Sequence, residues 1–251
     1  MNLTLINAKT DLGVIVDGSD KGPEIISNHF KNSTKIHKII NIDKPNIIKS
    51  KNKKDLEKNL DGINIFNQKL YEAVKEVKNN NEFPIILGGD HSLAIGSALA
   101  SIQKEKKLGI IWIDSHGDYN TFETTKTGNI HGLPLACLNH QTKEKLSFFH
   151  HGNYYDPKNT VIVGGRDIDP WEMPNIKKTG VTLFTTEDIR QQGIEQVIKQ
   201  AMNIALQDTN GVHISYDLDV IDPKIAPGVS IPAINGITEE EAYKIADEVL
   251  K

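Results

Sequence analysis

Three clusters of acidic residues and histidines follow apolar runs in this chain. The run at Pro84 leads into residues 88–92 (GGDHS), and the run at Leu108 leads into residues 114–118 (DSHGD). A third run, which begins at Val212, ends in residues 217–219 (DLD). Carboxylates and imidazoles are ligands of divalent metal ions. The sequence therefore predicts a metal site built from three chain segments.

The number and spacing of these groups favour two ions over one. In an extended chain, residues i, i+2 and i+4 point to the same side, so each Asp-rich segment is expected to face one point. Oxygen-rich ligation with some imidazole and no thiolate favours Mn²⁺ over structural zinc. Two ions roughly 3.5–4 Å apart can hold a bridging water as hydroxide near neutral pH. The candidate ligands are His91, Asp114, His116, Asp118, Asp217 and Asp219.

Each cluster alone also has an ordinary explanation. Asp114, His116 and Asp118 could serve turns and caps, and Asp222 before Pro223 is typical of a turn. In open α/β sheets, however, ligand-binding and catalytic residues lie beyond the carboxyl ends of the strands. Placement of all the clusters at such ends favours one shared site.

Further residues carry weaker signals. His131 lies on a glycine-flanked loop and is either a histidine without a role or a proton shuttle. Cys137 is interpreted as a small core residue. The lysine-rich stretch 49–58 is expected to be a solvated loop and helix start, because acidic residues interrupt it and no aromatic residues accompany it.

Short apolar runs alternate with segments of helical spacing. This order predicts an α/β protein with three layers, a mostly parallel sheet and helices on both faces, in a single domain over residues 1–251. Continuous runs such as IIL, IIWI, VIV and VTLF indicate strands buried on both faces. The predicted strands are 3–7, 35–41, 84–87, 108–114, 160–163, 181–185 and 212–219, and the predicted helices are 63–78, 93–103, 187–207 and 239–250, the last with a capping box at Thr238 and Glu241.

Composition excludes several classes of protein. The 251 residues include 29 Lys and Arg against 33 Asp and Glu, a net charge of −4 that argues against a nucleic-acid partner. The single cysteine excludes an intrachain disulfide framework. No run approaches the ~20 apolar residues of a membrane span, and the N-terminus lacks the pattern of a secretory signal. We expect a cytoplasmic protein without a membrane partner.

Segments 88–97 (GGDHSLAIGS), 112–136 and 215–228 (SYDLDVIDPKIAPG) together resemble the ureohydrolase family, and within it the bacterial arginases. The resemblance extends from Gly13 to the last helix. It implies an arginase-like α/β fold, two Mn²⁺ ions per chain and hydrolysis of the guanidino group of L-arginine to urea and L-ornithine. It also implies a homo-oligomer, a trimer or a hexamer.

The resemblance assigns roles to individual positions. One ion would be held by His91, Asp114, Asp118 and Asp217, and the other by Asp114, His116, Asp217 and Asp219. His131 matches the proton-shuttling histidine, and Asp118 would accept a hydrogen bond from the attacking hydroxide. Asn120, Thr125 and Thr127 resemble the loop that binds the substrate carboxylate. Asp169 and Glu172 resemble the acids that receive the α-amino group, which favours L-arginine over agmatine.

The sequence departs from the family pattern at three places. Ser115 stands where alanine is usual, and residues 229–232 (VSIP) replace a Gly-Thr-Pro stretch. The last predicted helix would lead, in the family, into one more strand that carries a glutamate for the guanidinium, and we expect this strand and its helix to be missing. Two alternatives therefore stay open, an agmatinase-type ureohydrolase and a truncated, non-catalytic metal-binding remnant.

Overall fold

A computed structural model describes residues 2–102 and 107–249. Strands and helices alternate through these ranges. The strands are β1 (Leu3–Lys9), β2 (Ile36–Asp43), β3 (Phe83–Gly88), β4 (Gly109–Ile113), β5 (Thr160–Gly165), β6 (Thr182–Thr185) and β7 (Val212–Tyr216). The helices are α1 (Gly22–Asn28), α2 (Leu60–Asn79), α3 (Ala94–Ser101), α4 (Pro134–Leu138), α5 (Met173–Thr179), α6 (Thr186–Gln192), α7 (Ile194–Leu206) and α8 (Glu239–Val249).

The strands form two parallel sheets. One has the order β2-β1-β3 and the other the order β6-β5-β4-β7. Each pairing between these strands is parallel, as predicted. Within the described residues, β3 and β7 each pair on one side only. The predicted parallel α/β architecture is confirmed, although the strands divide into two sheets.

Alternate residues of β4 anchor the helices on its two faces. Ile110 and Trp112 belong to a buried cluster that includes Ile95 and Leu99 of α3. Ile111 and Ile113 point the other way, as alternation along a strand requires, and join a second cluster that includes Val197, Ile198 and Ala201 of α7. Helices therefore cover both sides of this sheet, which confirms the predicted layering.

Burial along the strands follows their position in the sheet. β4 and β5, each paired on both sides, are buried along their whole length, as IIWI and VIV predict. β3 and β6 are mostly half-buried, so the prediction that IIL and VTLF lie buried on both faces is wrong. An edge strand has one strand neighbour, which leaves its other side less covered.

The last two predicted helices differ in how closely the structure follows them. The predicted helix 187–207 is divided into α6 and α7 at Gly193, whose φ of 82° is a left-handed conformation that favours glycine. α8 begins with the predicted capping box, since Thr238 N donates to Glu241 Oε2 at 2.8 Å and Glu241 N donates to Thr238 Oγ1 at 3.2 Å. Gln103 and Leu250, at the ends of two predicted helices, lie outside the described residues.

None of the helices within 2–102 and 107–249 has the length and apolar character needed to cross a membrane.

Candidate metal centre

His91 is fixed on a short turn directly after β3. Asp90 starts the turn by accepting hydrogen bonds from Ser92 N at 3.0 Å and from Gly13 N at 3.0 Å. The His91 ring stacks on Trp112 with a centroid distance of 4.0 Å and an interplanar angle of 11°. Its Nε2 lies 2.8 Å from Ser215 Oγ. With Nε2 engaged, Nδ1 is the nitrogen left to face the acidic residues.

The segment Asp114–Asp118 is a loop, because β4 ends at Ile113. His116 N donates to Asp114 Oδ1 at 2.7 Å, and Asp118 has a φ of 47°, a conformation that is uncommon outside glycine. The expectation that these side chains share one side of an extended strand is therefore wrong. The loop instead brings them to the cluster by turning, and a left-handed aspartate at such a place is typical of functional sites.

Asp217 and Asp219 also lie on a turn, directly after β7. Asp219 N donates to Asp217 Oδ1 at 3.0 Å, which starts a short helical turn over Leu218–Val220. This turn places Asp219 next to Ser115 and leaves Asp217 facing His91. Neighbouring parallel strands β4 and β7 thus bring their carboxyl-terminal loops together.

Two groups of three candidate ligands result. His91 Nδ1 lies 2.9 Å from Asp114 Oδ2, 3.2 Å from Asp118 Oδ2 and 3.1 Å from Asp217 Oδ2. His116 Nδ1 lies 3.3 Å from Asp114 Oδ1 and 3.1 Å from Asp219 Oδ2. Within each group the ligand atoms are within 4.8 Å of one another, and Asp114 belongs to both: His91, Asp114 and Asp118 form one group, and Asp114, His116 and Asp219 form the other.

The charges of the cluster favour the binding of a cation. Burial raises the pKa of Asp118 well above its usual value, and the nearby charge of Asp114 raises it further. Burial alone would lower the pKa of His116, but Asp114 and Asp219 outweigh it and raise that pKa to about 12. His91 Nδ1 and Asp114 Oδ2 are buried 2.9 Å apart, and among the described residues neither has a hydrogen-bond partner outside this cluster. Nitrogen and oxygen lone pairs gathered in this way fit a divalent metal ion.

His131 lies on a short turn, Ile130–Gly132, whose backbone is tied to the N-terminal loop by a hydrogen bond from His131 N to Gly13 O at 3.1 Å. Burial lowers the pKa of this imidazole, while the charges of Asp90 and Asp217 raise it. A neutral imidazole beside the acidic cluster can take up or release a proton near neutral pH.

A second polar group surrounds Glu172, which is 2% exposed. Its carboxylate accepts hydrogen bonds from Tyr119 N at 2.9 Å, Asp169 N at 2.9 Å and Asn120 Nδ2 at 3.2 Å. Asn120 Nδ2 also donates to Asp169 Oδ2 at 3.0 Å. Burial raises the pKa of Glu172 to about 7. The structure thus brings Asn120, Asp169 and Glu172 together, with the amide of Asn120 directed to the two acids.

Thr125 and Thr127 belong to a neighbouring loop. Thr125 Oγ1 accepts from Gly128 N at 3.1 Å, and Thr127 Oγ1 accepts from Asn129 N at 3.2 Å. Each hydroxyl keeps its own hydrogen, which it can donate to an anion. Asp222 also accepts from backbone, from Lys224 N and Gly236 N, in agreement with the turn predicted for it.

Sequence reasoning missed several residues that organise the site. Lys58 is 2% exposed, so the prediction of a solvated loop over 49–58 is wrong at this position, where side-chain and backbone oxygens replace water. Arg166 donates to the carbonyl oxygens of Asp219 at 2.7 Å and Ala233 at 2.8 Å. Nothing in the composition of either neighbourhood distinguishes these cations from surface ones. Their partners are backbone carbonyls and, for Lys58, also the side chain of Asn129, and sequence patterns do not reveal these pairs.

The fold and the acid–histidine cluster define an α/β protein with a candidate metal centre at the carboxyl edge of parallel strands. The sequence model of the Arginase family matches residues 1–251. The Arginase of Bacillus subtilis (strain 168) is 37% identical over 255 residues, which span 99% of this chain and 85% of that protein. The Arginase of Brevibacillus brevis is 36% identical over 252 residues, spanning 96% of this chain and 83% of that protein. The chain therefore belongs to the arginase family.

Solved structures agree with this membership. The crystal structure of Entamoeba histolytica arginase in complex with L-ornithine matches with a TM-score of 0.90 at 28% identity, covering 100% of this chain and 86% of the other. The crystal structure of arginase from Bacillus subtilis matches with a TM-score of 0.85 at 34% identity, covering 98% and 84%. The resemblance inferred from the three sequence segments is confirmed.

Proposed function

We propose that this protein is an arginase, a metallohydrolase that cleaves L-arginine to urea and L-ornithine with two Mn²⁺ ions per chain. Family membership supports a hydrolase of arginine-type substrates. The observation that carries the proposal is the pair of three-residue groups that share Asp114, because two adjacent sites with a common carboxylate suit two ions. The oxygen-rich donor set favours Mn²⁺ over a structural zinc site.

The residues present fit these ions. His91, Asp114, Asp118 and Asp217 would hold one ion, and Asp114, His116, Asp217 and Asp219 would hold the other. Asp217 Oδ2 lies 3.1 Å from His91 Nδ1, which supports its place in the first set. When bound, such ions activate water and stabilise negative charge that develops on the substrate.

The protein groups around the ions would orient the attacking water and transfer protons. The Asp118 carboxylate would accept a hydrogen bond from the attacking water and align it with the guanidinium carbon. His131 would take up the proton that the attacking water loses and donate it to the departing amine, a step suited to an imidazole whose neutral and charged forms are both accessible. Collapse of the tetrahedral centre then separates urea from L-ornithine.

The polar group around Glu172 would recognise the amino-acid end of the substrate. Asp169 and Glu172 supply negative charge for the α-ammonium group, and Asn120 holds the two acids in position. The hydroxyls of Thr125 and Thr127 would donate to the α-carboxylate. Agmatine lacks that carboxylate, so this arrangement favours L-arginine.

We also propose a location, a set of partners and an oligomeric state for the protein. Mild net negative charge and the absence of a membrane-crossing helix among the described residues support a cytoplasmic enzyme with a small-molecule substrate and without nucleic-acid or membrane partners. By family resemblance we expect a homo-oligomer, a trimer or a hexamer, which sedimentation analysis would test.

The decisive experiment measures urea released from L-arginine by the purified 251-residue protein loaded with Mn²⁺, with agmatine assayed in parallel. Turnover of L-arginine with little turnover of agmatine is the expected result. Preferential turnover of agmatine would overturn the substrate assignment. Bound manganese without urea from either substrate would instead support a non-catalytic metal-binding protein.

A further inference from the structure

Lys58 is a buried cation next to the proposed substrate loop. It lies two residues before α2, in a lysine-rich stretch in which Lys51, Lys53 and Lys54 are exposed. Burial of a lysine side chain is unusual because the ammonium group loses its hydration. Such burial indicates that the protein supplies replacement partners for this group.

Both hydrogen-bond acceptors of Lys58 belong to residues 125–129. The Lys58 ammonium donates to Thr127 O and, at 3.3 Å, to Asn129 Oδ1. Asn129 N in turn donates to Thr127 Oγ1 at 3.2 Å. Lys58 thus contacts the backbone of Thr127, a residue proposed to bind substrate. It also contacts the side chain of Asn129, whose backbone N–H orients the Thr127 hydroxyl.

Backbone packing holds the same two segments together. Gly128 has a φ of 63°, and a Cβ atom placed on it would lie 2.3 Å from Asp55 O and 2.5 Å from Leu56 Cα. The loop therefore lies directly on residues 55–56, where only glycine leaves room. His131 follows this loop after one further residue, so the position of the loop also affects the proposed proton donor.

Among the residues that the structure describes, no carboxylate forms an ion pair with Lys58, and both acceptors that it contacts are neutral. Asp55 is the acidic residue whose charge reaches it. At a buried position, a cation without a carboxylate in direct contact attracts a nearby anion more strongly than it would in water. The loop that Lys58 supports presents the hydroxyls of Thr125 and Thr127 as anion donors.

We propose that Lys58 is a positioning residue that fixes the loop 125–129 and adds positive potential to the subsite for the substrate's α-carboxylate. This inference rests on the proposed function, because that function supplies the carboxylate. It makes Lys58 a determinant of selectivity for amino-acid substrates without contact with the reacting atoms.

The test compares ligand binding to the Mn²⁺-loaded wild-type protein and Lys58→Met, which retains length and loses the donors and the charge. The probes are L-ornithine and 1,4-diaminobutane, its analogue without the carboxylate. Titration calorimetry is expected to show a loss of L-ornithine affinity of roughly tenfold or more, because the loop loses its hydrogen bonds to a charged group and the subsite loses positive potential. Affinity for 1,4-diaminobutane and the manganese content should remain within about twofold, because neither involves the carboxylate.

Lys54→Met is the matched control, since Lys54 is an exposed lysine of the same stretch. It should bind both diamines like the wild type, while Lys58→Arg, which keeps charge and donors, should recover most of the lost affinity. Equal weakening of both diamines in Lys58→Met and Lys58→Arg would show a general structural role and overturn the inference, as would unchanged L-ornithine affinity. A wild-type protein that releases no urea and binds no L-ornithine would overturn the proposed function itself.

Discussion

Ser115 donates a hydrogen bond from its hydroxyl to Asp219 Oδ1 at 2.7 Å, and its backbone N–H reaches the same oxygen at 3.2 Å. The two donors occupy Oδ1 and leave Oδ2, which lies 3.1 Å from His116 Nδ1, as the oxygen that faces the second group of candidate ligands. Ser115 is fully buried. The serine that distinguishes this chain from the usual family pattern therefore orients a candidate metal ligand.

Ser115→Ala is predicted to weaken the site that contains Asp219. The backbone donor remains, but the stronger hydroxyl bond is lost and the carboxylate gains rotational freedom. Changes in groups that orient a ligand typically reduce metal affinity by about 10–100-fold. Manganese titration by calorimetry should show one weakened site of two, while Ser97→Ala, a buried serine on α3, should leave both sites unchanged. Identical titrations for Ser115→Ala and wild type would contradict the orienting role.

Replacing His116 by Asn is predicted to reduce the bound manganese from two ions per chain to one and to abolish urea release. His116 is the single imidazole of the group with Asp114 and Asp219, and the remaining carboxylates repel one another without an ion between them. Elemental analysis after gel filtration measures the metal content. Asp167→Asn serves as control, since Asp167 Oδ2 lies 3.8 Å from His116 Nε2 and its side chain is 67% exposed. Full metal content in His116→Asn would remove His116 from the proposed ligand set.

Most of the fold follows from sequence patterns because β4 and β5 are buried on both faces and need continuous apolar residues. The candidate ligands could be found for a related reason, since chemistry-bearing residues at the ends of parallel strands share one sheet edge. The half-buried state of β3 could not be predicted, because the composition of a strand does not state how many neighbours pair with it. Gly193 shows a similar limit, since one residue in a left-handed conformation divides a continuous helical pattern.

The supporting contacts of the site leave little trace in the sequence. Ser115 and Lys58 act through partners 104 and 69 residues away in the chain, and those pairs exist only after the loops are packed. Asp118 illustrates another limit. Its candidate role followed from residue type. Its φ of 47° means that Asp118 reaches the cluster by a turn of the chain and not by the extended conformation that the prediction assumed.

Glu172 is predicted to make the stability of the metal-free protein depend on pH. Burial raises its pKa from 4.5 to about 7, so the folded state binds a proton that the unfolded state releases between these values. Its contribution is therefore fully present below pH 4.5 and is lost as pH rises through 7, by about 3 kcal/mol at most. Glu172→Gln cannot ionise and keeps its stability as the pH rises. The free energy of unfolding of this variant, measured relative to that of the wild type, should therefore increase from pH 5 to pH 8.

Urea denaturation of both metal-free proteins at the two pH values measures this difference. Subtracting the Glu172→Gln curve removes the contributions of buried histidines, such as His213, whose pKa burial lowers to about 4. Glu239→Gln, at an exposed position on α8, should track the wild type at both values. A pH-independent difference between Glu172→Gln and wild type would show that Glu172 ionises normally in the folded state.

The free edges of β3 and β7 are predicted to exchange their backbone amide hydrogens faster than the paired strands. Each strand has one hydrogen-bonded neighbour in the described residues, so the N–H groups on its other side lack a ladder partner. Unpaired amides open at low free-energy cost, and we expect them to exchange at least roughly tenfold faster than those of β4 and β5. Hydrogen exchange followed by NMR resolves the alternate residues, with β1, which pairs on both sides, as the internal control. Equal protection of β3, β7 and β4 would mean that another strand closes these edges in solution.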